Sequence, residues 1–318
     1  MSRRLALLLA AVAAVALVVA AVAGGAAKPP RLVVEKAPVL PARATDNEGK
    51  QVTVRDVTRI VALNGDIAET VVTLGLGKNL VGVDISATYP QKLVATLPKI
   101  GYQRTLAAEG IISLRPTVVL GSPTAGPATT IAQLRSAGVN VVIIPEYKDL
   151  DAGARKLRAI GRALGVPKRG EKLARQVEGQ IAVAKREVTR ASTRPKVAFL
   201  YVRGSQVQQI GGNGSGADAM IEAAGGVDVG KSIGIQGFKH LTAESLVTAQ
   251  PDVFLVLTAG LQSVGGVEGL LRLPGVAQTP AGRNRRVVHF DDLLLLGLGP
   301  RTGKALRLLI RGLHPEVR

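Results

Sequence analysis

Short apolar runs alternate with amphipathic stretches along most of this chain, and one such unit occurs twice. Glu109 to Leu120 reads EGIISLRPTVVL, and Glu244 to Leu255 reads ESLVTAQPDVFL. In each unit the Glu is followed seven residues later by a Pro, which lacks a backbone N–H and ends a helix. An apolar run short enough to be a buried strand comes next. The repeated helix–strand unit predicts two similar lobes.

The other apolar runs predict a similar order of elements in each half of the chain. Strands are predicted at 59–63, 80–85, 118–120 and 139–144 in the first half, and at 196–202 and 286–290 in the second. Helices are predicted at 67–74, 131–137, 217–224 and 269–273. Strands that alternate with helices of this length are typical of parallel sheets covered by helices. The predicted fold class is therefore α/β, with two Rossmann-like lobes that each contain a central parallel sheet.

A long amphipathic stretch separates the two halves. Residues 152–192 read as two helices broken at the Gly-Val-Pro of 165–167. In the second helix the apolar positions repeat at about 3.6 residues on an otherwise charged surface: Leu173, Val177, Ile181, Ala184 and Val188. We therefore predict one long rigid helix at 169–192. It joins an N-terminal lobe of residues 57–168 to a C-terminal lobe of residues 193–318.

The first 25 residues have the composition of an export signal. MSRR is basic, residues 5–23 are apolar without a charge, and Ala21-Val22-Ala23 resembles a signal-peptidase site. The same run is just long enough to span a bilayer, so an uncleaved anchor is the alternative. Either interpretation places the rest of the protein outside the cytoplasm. Residues 26–56 are rich in Pro and charged residues, and we predict a linker with one short strand at 51–54.

Composition excludes several kinds of chemistry. The chain has no Cys, which excludes disulfides, thiolate metal sites and cysteine nucleophiles. Its three His residues, His240, His289 and His314, do not have metal-ligand spacing. The net charge of +18 favours an acidic small ligand or an anionic membrane surface, unless it only forms a basic solvated surface. Nucleic acid is not expected, because 3% aromatic residues provide too few stacking platforms.

Three motifs resemble those of bacterial periplasmic haem-binding proteins. They are GYQR at 101–104 with AEGI at 108–111, GADAMIEAAGG at 216–226, and DDLLLLGLGPR at 291–301. With two lobes and one long helix, the chain is similar to the helix-hinged (class III) substrate-binding proteins of ABC importers, which serve ferric siderophores, cobalamin and haem. The resemblance implies that a monomer in the periplasm binds haem as its transported ligand, without a catalytic cofactor. It also implies delivery of the haem to a permease dimer in the inner membrane.

Tyr102 is the residue that we expect to bind the haem iron. It follows the strand 80–85 at the carboxyl end of the first sheet, where open α/β folds bind ligands. A tyrosine phenolate is a known ligand of ferric haem, although tyrosine is normally protonated at neutral pH. Arg104, two residues further on, supplies a positive charge that favours the phenolate. The alternative is that Tyr102 is partly buried, with its hydroxyl hydrogen-bonded.

The resemblance also implies contacts from the second lobe. Arg203 occupies a position at which some relatives carry a His, so we expect neither a second axial ligand there nor a stacked pair of haems. Lys239 falls where relatives often carry a basic residue, and it is a candidate partner either for the haem propionates or, like Arg104, for the phenolate. His240, the next residue, either faces the ligand or is an ordinary loop residue.

Two Glu residues, Glu109 and Glu244, begin the repeated units. In the class that this chain resembles, one surface Glu of each lobe docks on arginines of the permease dimer. Equivalent positions in two similar lobes suit a symmetric partner. Each Glu is alternatively a carboxylate at a helix start that complements the helix dipole.

Two other functions stay open. The same fold can carry a ferric siderophore or cobalamin, and Tyr102 would then be part of the pocket wall. The remote alternative is an exported α/β enzyme that acts on an anionic substrate. The sequence has no Ser/His/Asp order, paired carboxylates at helix spacing or metal cluster to support such chemistry, so we expect no enzyme activity.

Overall fold

The computed structural model describes residues 35–317 of the protein. The predicted signal peptide or anchor at 1–25 and the first part of the predicted linker lie outside the described residues. Within 35–317 every helix is too short or too polar to cross a membrane.

A β-hairpin precedes the first sheet. Strand β1 (Ala42–Thr45) pairs antiparallel with strand β2 (Gln51–Val54). Ala44, Val52 and Val54 alternate with exposed residues and are buried in the main apolar core. These residues belong to the stretch predicted as a linker, so this part of it is instead a folded hairpin with only its second strand foreseen.

The first sheet is parallel and has four strands in the order β4-β3-β5-β6. The strands are β3 (Ile60–Ala62), β4 (Leu80–Val83), β5 (Val118–Gly121) and β6 (Asn140–Ile143). They alternate with helices α1 (Gly65–Thr73), α2 (Gln91–Val94), α3 (Ala108–Ile112) and α4 (Ala128–Ser136). Every residue of β3 and β5 is buried, as is typical of a parallel sheet covered on both faces. The prediction for this sheet is confirmed.

Two helices follow, α5 (Ala152–Ala163) and α6 (Pro167–Val188), and α6 is 22 residues long. Pro167 lies in the first turn of α6, where its missing N–H leaves no helix hydrogen bond unmade. The buried residues of α6 include Val177 and Ile181, as the 3.6-residue spacing predicts. They pack in one apolar cluster with strand residues of both sheets, so α6 is part of a continuous core.

The second sheet is mixed, with the strand order β10-β8-β7-β11-β12 and a short β9 beside β7. Its strands are β7 (Lys196–Arg203), β8 (Val207–Gly211), β9 (Val227–Asp228), β10 (Phe238–His240), β11 (Val253–Leu257) and β12 (Val287–Phe290). Strands β7, β9, β11 and β12 run parallel, whereas β8 and β10 are antiparallel. The α/β class is confirmed, but the second sheet is not purely parallel. A three-residue loop, with Gly204 at a φ of +54°, turns β8 directly back onto β7.

The second half contains eight of the helices in the described part of the chain. They are α7 (Ala217–Ala223), α8 (Val229–Ser232), α9 (Ala243–Ala249), α10 (Thr258–Ser263), α11 (Gly266–Leu271), α12 (Pro280–Arg283), α13 (Asp292–Leu296) and α14 (Thr302–Leu313). The two repeated sequence units form α3–β5 and α9–β11, so each is a helix followed by a parallel strand as predicted.

A buried ion pair joins α1 to the segment before α14. Arg301 donates to both carboxylate oxygens of Glu69, at 2.7 and 2.8 Å, and the Glu69 side chain is 3% exposed. The Arg301 guanidinium carbon also lies 3.7 Å from the centre of the Tyr89 ring. This contact fixes the second half of the chain against the first beside the long helix.

A second ion pair lies one turn earlier on α1. The Nζ of Lys156, on α5, is 2.6 Å from an Asp66 carboxylate oxygen and donates to the carbonyl of Gly297 at 2.7 Å. Lys156 thereby links α1, α5 and the end of α13.

Candidate functional site

A cleft of about 630 Å³ opens between the carboxyl ends of the two sheets. Its volume is typical of small-molecule sites, and its place is where open α/β folds bind ligands. Apolar side chains from both halves line it: Ile67, Ile85, Ile144, Leu257, Leu293, Leu296 and Leu298. The polar and charged residues of the lining include Tyr102, Tyr147, Tyr201, Arg203, Asp291 and Asp292. The cleft therefore suits a largely apolar ligand that carries charged groups.

Tyr102 lies in the loop between α2 and α3 and contributes its side chain to the cleft. Gly101 has a φ of +98°, which favours glycine, and its carbonyl accepts a hydrogen bond from Ile85 N at 3.0 Å. The carbonyl of Tyr102 accepts from Thr105 N at 2.8 Å. These bonds hold the loop, while the Tyr102 side chain remains 43% exposed.

Asn64 anchors the Tyr102 loop. It occupies the N-cap position of α1, but its side chain makes no capping hydrogen bond and is almost fully buried. Instead, its Nδ2 donates to Gln103 Oε1, and its Oδ1 accepts from Ser122 N at 2.9 Å. Asn64 thus connects the ends of β3 and β5 to the loop that carries Tyr102.

Replacing Asn64 with Ala should lower the free energy of unfolding by about 1–3 kcal/mol, because the Ser122 N–H and the Gln103 side chain lose their buried partner. Urea denaturation measures this change. Asn213→Ala is the matched control, since Asn213 bonds to Gln236 on an exposed surface and its loss should change stability by less than about 0.5 kcal/mol. Equal effects of the two substitutions would contradict the anchoring role.

Asp84, at the end of β4, supports the cleft wall through Ser86, which lines the cleft. The Ser86 N–H and hydroxyl donate to the Asp84 carboxylate at 3.1 and 2.9 Å. Burial raises the pKa of Asp84 to about 6, above its ordinary value of 3.8, and the hydrogen bonds from Ser86 only partly oppose this rise. The folded protein therefore binds a proton at Asp84 more tightly than the unfolded chain does.

A carboxyl group whose pKa is higher in the folded protein than in the unfolded chain stabilises the fold when it is protonated. This stability is fully present below the pKa of the unfolded chain and is lost as the pH rises through the pKa of the folded protein. Replacing Asp84 with Asn removes this loss. The free energy of unfolding of Asp84→Asn, relative to the unchanged protein, should rise by up to about 3 kcal/mol between about pH 4 and pH 7. Urea denaturation at several pH values measures the difference.

Asp56→Asn is a control for which the relative free energy of unfolding should change with pH in the opposite direction. Hydrogen bonds from Thr58 lower the pKa of Asp56, so the stability that this exposed carboxylate contributes is lost as the pH falls. A relative stability of Asp84→Asn that does not change with pH would contradict the assignment of the raised pKa to burial.

Tyr201 and Arg203 lie at the carboxyl end of β7 and line the opposite side of the cleft. Arg203 pairs with Asp292, donates to the carbonyl of Val202 at 2.8 Å, and places its guanidinium carbon 4.6 Å from the centre of the Tyr201 ring. Phe238 packs on the same ring, edge to face, with the ring centres 5.5 Å apart. Arg203 is thus in the cleft but already has a carboxylate partner.

Tyr201 was not singled out from the sequence, although a signal for it was present. The pattern Tyr-x-Arg occurs as Tyr102-Gln103-Arg104 in the first half and as Tyr201-Val202-Arg203 in the second. The first copy lies in a loop and the second at the carboxyl end of β7, and the structure brings both tyrosines to one cleft.

The other basic residues predicted for the site lie outside the cleft lining. Arg104 is exposed two residues beyond Tyr102 and has no ion-pair or hydrogen-bond partner within residues 35–317. Lys239 and His240 are exposed on the edge strand β10 and do not line the cleft. Because side chains alternate along a strand and Phe238 contacts Tyr201, Lys239 lies on the opposite face of the sheet.

Glu109 and Glu244 are exposed in the first turns of α3 and α9. They occupy equivalent places in the two repeated units, each before a strand whose carboxyl end faces the cleft.

Two α/β halves joined by one long helix, with a ligand-sized cleft between the carboxyl ends of their sheets, define a helix-hinged substrate-binding protein. The chain belongs to the Periplasmic binding protein family, whose sequence pattern matches residues 60–293. This family and its solved members are transport proteins that bind substrates, not enzymes.

Solved and curated relatives agree with this assignment. The periplasmic heme-binding protein RhuT from Roseiflexus sp. RS-1, in apo form, is 52% identical with a TM-score of 0.81, covering 83% of this chain and 100% of that one. The heme-binding protein HmuT is 37% identical with a TM-score of 0.82, covering 88% and 92%. The vitamin B12-binding protein of Vibrio parahaemolyticus is 23% identical over 250 residues, covering 79% of this chain and 87% of that protein.

Proposed function

We propose that this protein captures ferric haem in the periplasm and delivers it to an ABC-type permease in the inner membrane. The observation that carries the proposal is the accessible phenol of Tyr102 at a cleft lined with apolar side chains from both halves. The 52% sequence identity to RhuT, a periplasmic heme-binding protein, supports haem as the ligand.

The cleft offers what each part of haem requires. Apolar residues from both lobes enclose the macrocycle, and Tyr102 binds the ferric iron through its phenolate oxygen. Arg104 has its charge uncompensated by any described residue, so it favours the phenolate and attracts the haem carboxylates.

Tyr201 is our candidate for the opposite face of the haem. HmuT has been solved with alanine in place of a histidine, of a tyrosine, and of the arginine two residues beyond that tyrosine. The histidine and tyrosine are separated by the same number of positions as Tyr102 and Tyr201 here, and Arg203 follows Tyr201 in the same way. This parallel supports a ligand from the second lobe. Lys239 and His240 have less support as propionate partners, because they are outside the cleft lining.

Parallel titrations of the purified protein with haemin, cyanocobalamin and a ferric hydroxamate siderophore test the proposal. We expect haemin alone to saturate, at one molecule per protein, and to develop a phenolate-to-iron charge-transfer band. Cobalamin is the second candidate, because a vitamin B12-binding protein is among the relatives. Saturable binding of cobalamin without haemin binding would replace the haem proposal.

We further propose that Glu109 and Glu244 dock on the permease dimer. Replacing both with Ala should lower haemin-stimulated ATP hydrolysis by the reconstituted permease at least about tenfold, while haemin affinity stays unchanged, since neither residue lines the cleft. Glu268→Ala is the matched control, because Glu268 is also an exposed acidic residue in the first turn of a helix. Stimulation of ATP hydrolysis by the double variant equal to that by the unchanged protein would reject the docking role.

A further inference from the structure

We infer that Asp292 keeps the second Tyr-x-Arg site weaker than the first, so that Tyr102 is the primary iron ligand and Tyr201 a secondary one that releases haem more readily. This inference rests on the proposed haem function. It assigns to Asp292 a positioning role, exerted through Arg203.

The two Tyr-x-Arg copies differ in the exposure and the ion pairing of their arginine. Arg104 is exposed and makes no ion pair or hydrogen bond within the described part of the chain. Arg203 makes three contacts: an ion pair with the Asp292 carboxylate, a hydrogen bond to the carbonyl of Val202 and a cation–π contact with the ring of Tyr201. Only the first copy therefore offers an uncompensated positive charge.

Asp292 is placed to neutralise Arg203 rather than to build the helix that it begins. The neighbouring Asp291 already caps α13, since its carboxylate accepts a hydrogen bond from Leu294 N at 3.0 Å. Asp292 instead forms an ion pair with Arg203 at the end of β7, and both residues line the cleft. The α13 cap does not require the Asp292 carboxylate.

A carboxylate in contact with a guanidinium cancels much of the field that the cation exerts on its neighbours. An anionic phenolate at Tyr201, or a haem carboxylate near Arg203, therefore gains less from Arg203 than its counterpart gains from Arg104. Asp291 and Asp292 also place two carboxylates on this wall of the cleft. Haem should bind first to the Tyr102 side, and the Tyr201 side should contribute less to its retention.

A double-mutant cycle tests the role of Asp292. Tyr201→Phe should weaken haemin binding less than about threefold in the unchanged protein and at least about tenfold in the Asp292→Asn background, where Arg203 is released. Asp292→Asn should also recover about tenfold of the affinity lost in Tyr102→Phe, together with a charge-transfer band that depends on Tyr201. Asp292→Glu, which keeps the carboxylate, should behave as the unchanged protein does.

Glu268→Gln removes an Arg–carboxylate pair with Arg285 that is distant from the cleft lining, and it should leave haemin affinity unchanged. An equal effect of Tyr201→Phe with and without Asp292→Asn would overturn the inference and leave haem binding in place. An unchanged protein that does not bind haemin would overturn the proposed function and the inference with it.

Discussion

Tyr102→Phe is expected to lower the affinity for haemin at least about 100-fold, which corresponds to about 2.7 kcal/mol. The substitution removes only the phenol oxygen, which has no hydrogen-bond partner among the described residues. Because the side chain is exposed at the cleft, the stability of the protein should not change. The loss then reports the bond from the phenolate to ferric iron rather than a change of fold.

Competition titration by visible absorption measures this affinity, and the charge-transfer band should disappear in the variant. Tyr147→Phe is the matched control, since Tyr147 also lines the cleft but lies against Arg155, with the guanidinium carbon 5.0 Å from the ring centre. Its affinity for haemin should stay within about threefold of the original. Haemin binding by Tyr102→Phe with the original affinity and spectrum would remove Tyr102 from the iron site.

The second large effect, on the stability of the protein, should come from loss of the buried ion pair beside the long helix. Arg301→Ala leaves the Glu69 carboxylate, 3% exposed, without its cation and is expected to lower the free energy of unfolding by about 3–5 kcal/mol. The variant also loses the contact between the Arg301 guanidinium and the Tyr89 ring. Denaturant unfolding measures the change.

Two comparisons make this prediction specific. Replacing both partners, Glu69→Leu with Arg301→Met, should recover most of the lost stability, because it removes the unpaired buried charge. Arg285→Ala breaks an exposed pair with Glu268 and should leave the free energy of unfolding nearly unchanged. If Arg301→Ala behaves as Arg285→Ala does, the pair does not hold the two halves together.

Much of the fold follows from local sequence patterns. The apolar spacing of Val177, Ile181 and Ala184 predicted the long helix, since a period near 3.6 residues is that of an α-helix with one apolar face. The repeated units predicted α3–β5 and α9–β11, because Pro ends each helix and an apolar run follows. These elements depend on residues close together in the chain.

Strands β8 and β10 of the second sheet were not foreseen, because their sequences carry little apolar alternation. Strand β8 reads VQQIG and pairs antiparallel with β7 across a three-residue turn, whereas β10 reads FKH and pairs antiparallel with β8 from a more distant part of the chain. Lys239 was expected near the ligand because relatives often carry a basic residue at that position. Its position depends on the register of β10 against β8, which the sequence does not reveal.

Within the candidate site, the motif around Tyr102 could be recognised from the sequence, whereas contacts between residues far apart in the chain could not. Tyr102 was assigned to the carboxyl end of the first sheet, and it lines the cleft there. The partnership of Arg203 with Asp292, and that of Asn64 with Gln103 and Ser122, joins residues far apart in the chain. Such contacts depend on how loops from separate strands meet.

Diffraction at the iron absorption edge from crystals grown with haemin tests the central claim most directly. We expect one anomalous peak per protein, inside the cleft and at bonding distance from the Tyr102 phenol oxygen, with Tyr201 facing the opposite side of the haem. An iron peak outside the cleft, or one inside it without Tyr102 as a ligand, would contradict the assignment of this cleft as a tyrosine-ligated haem site.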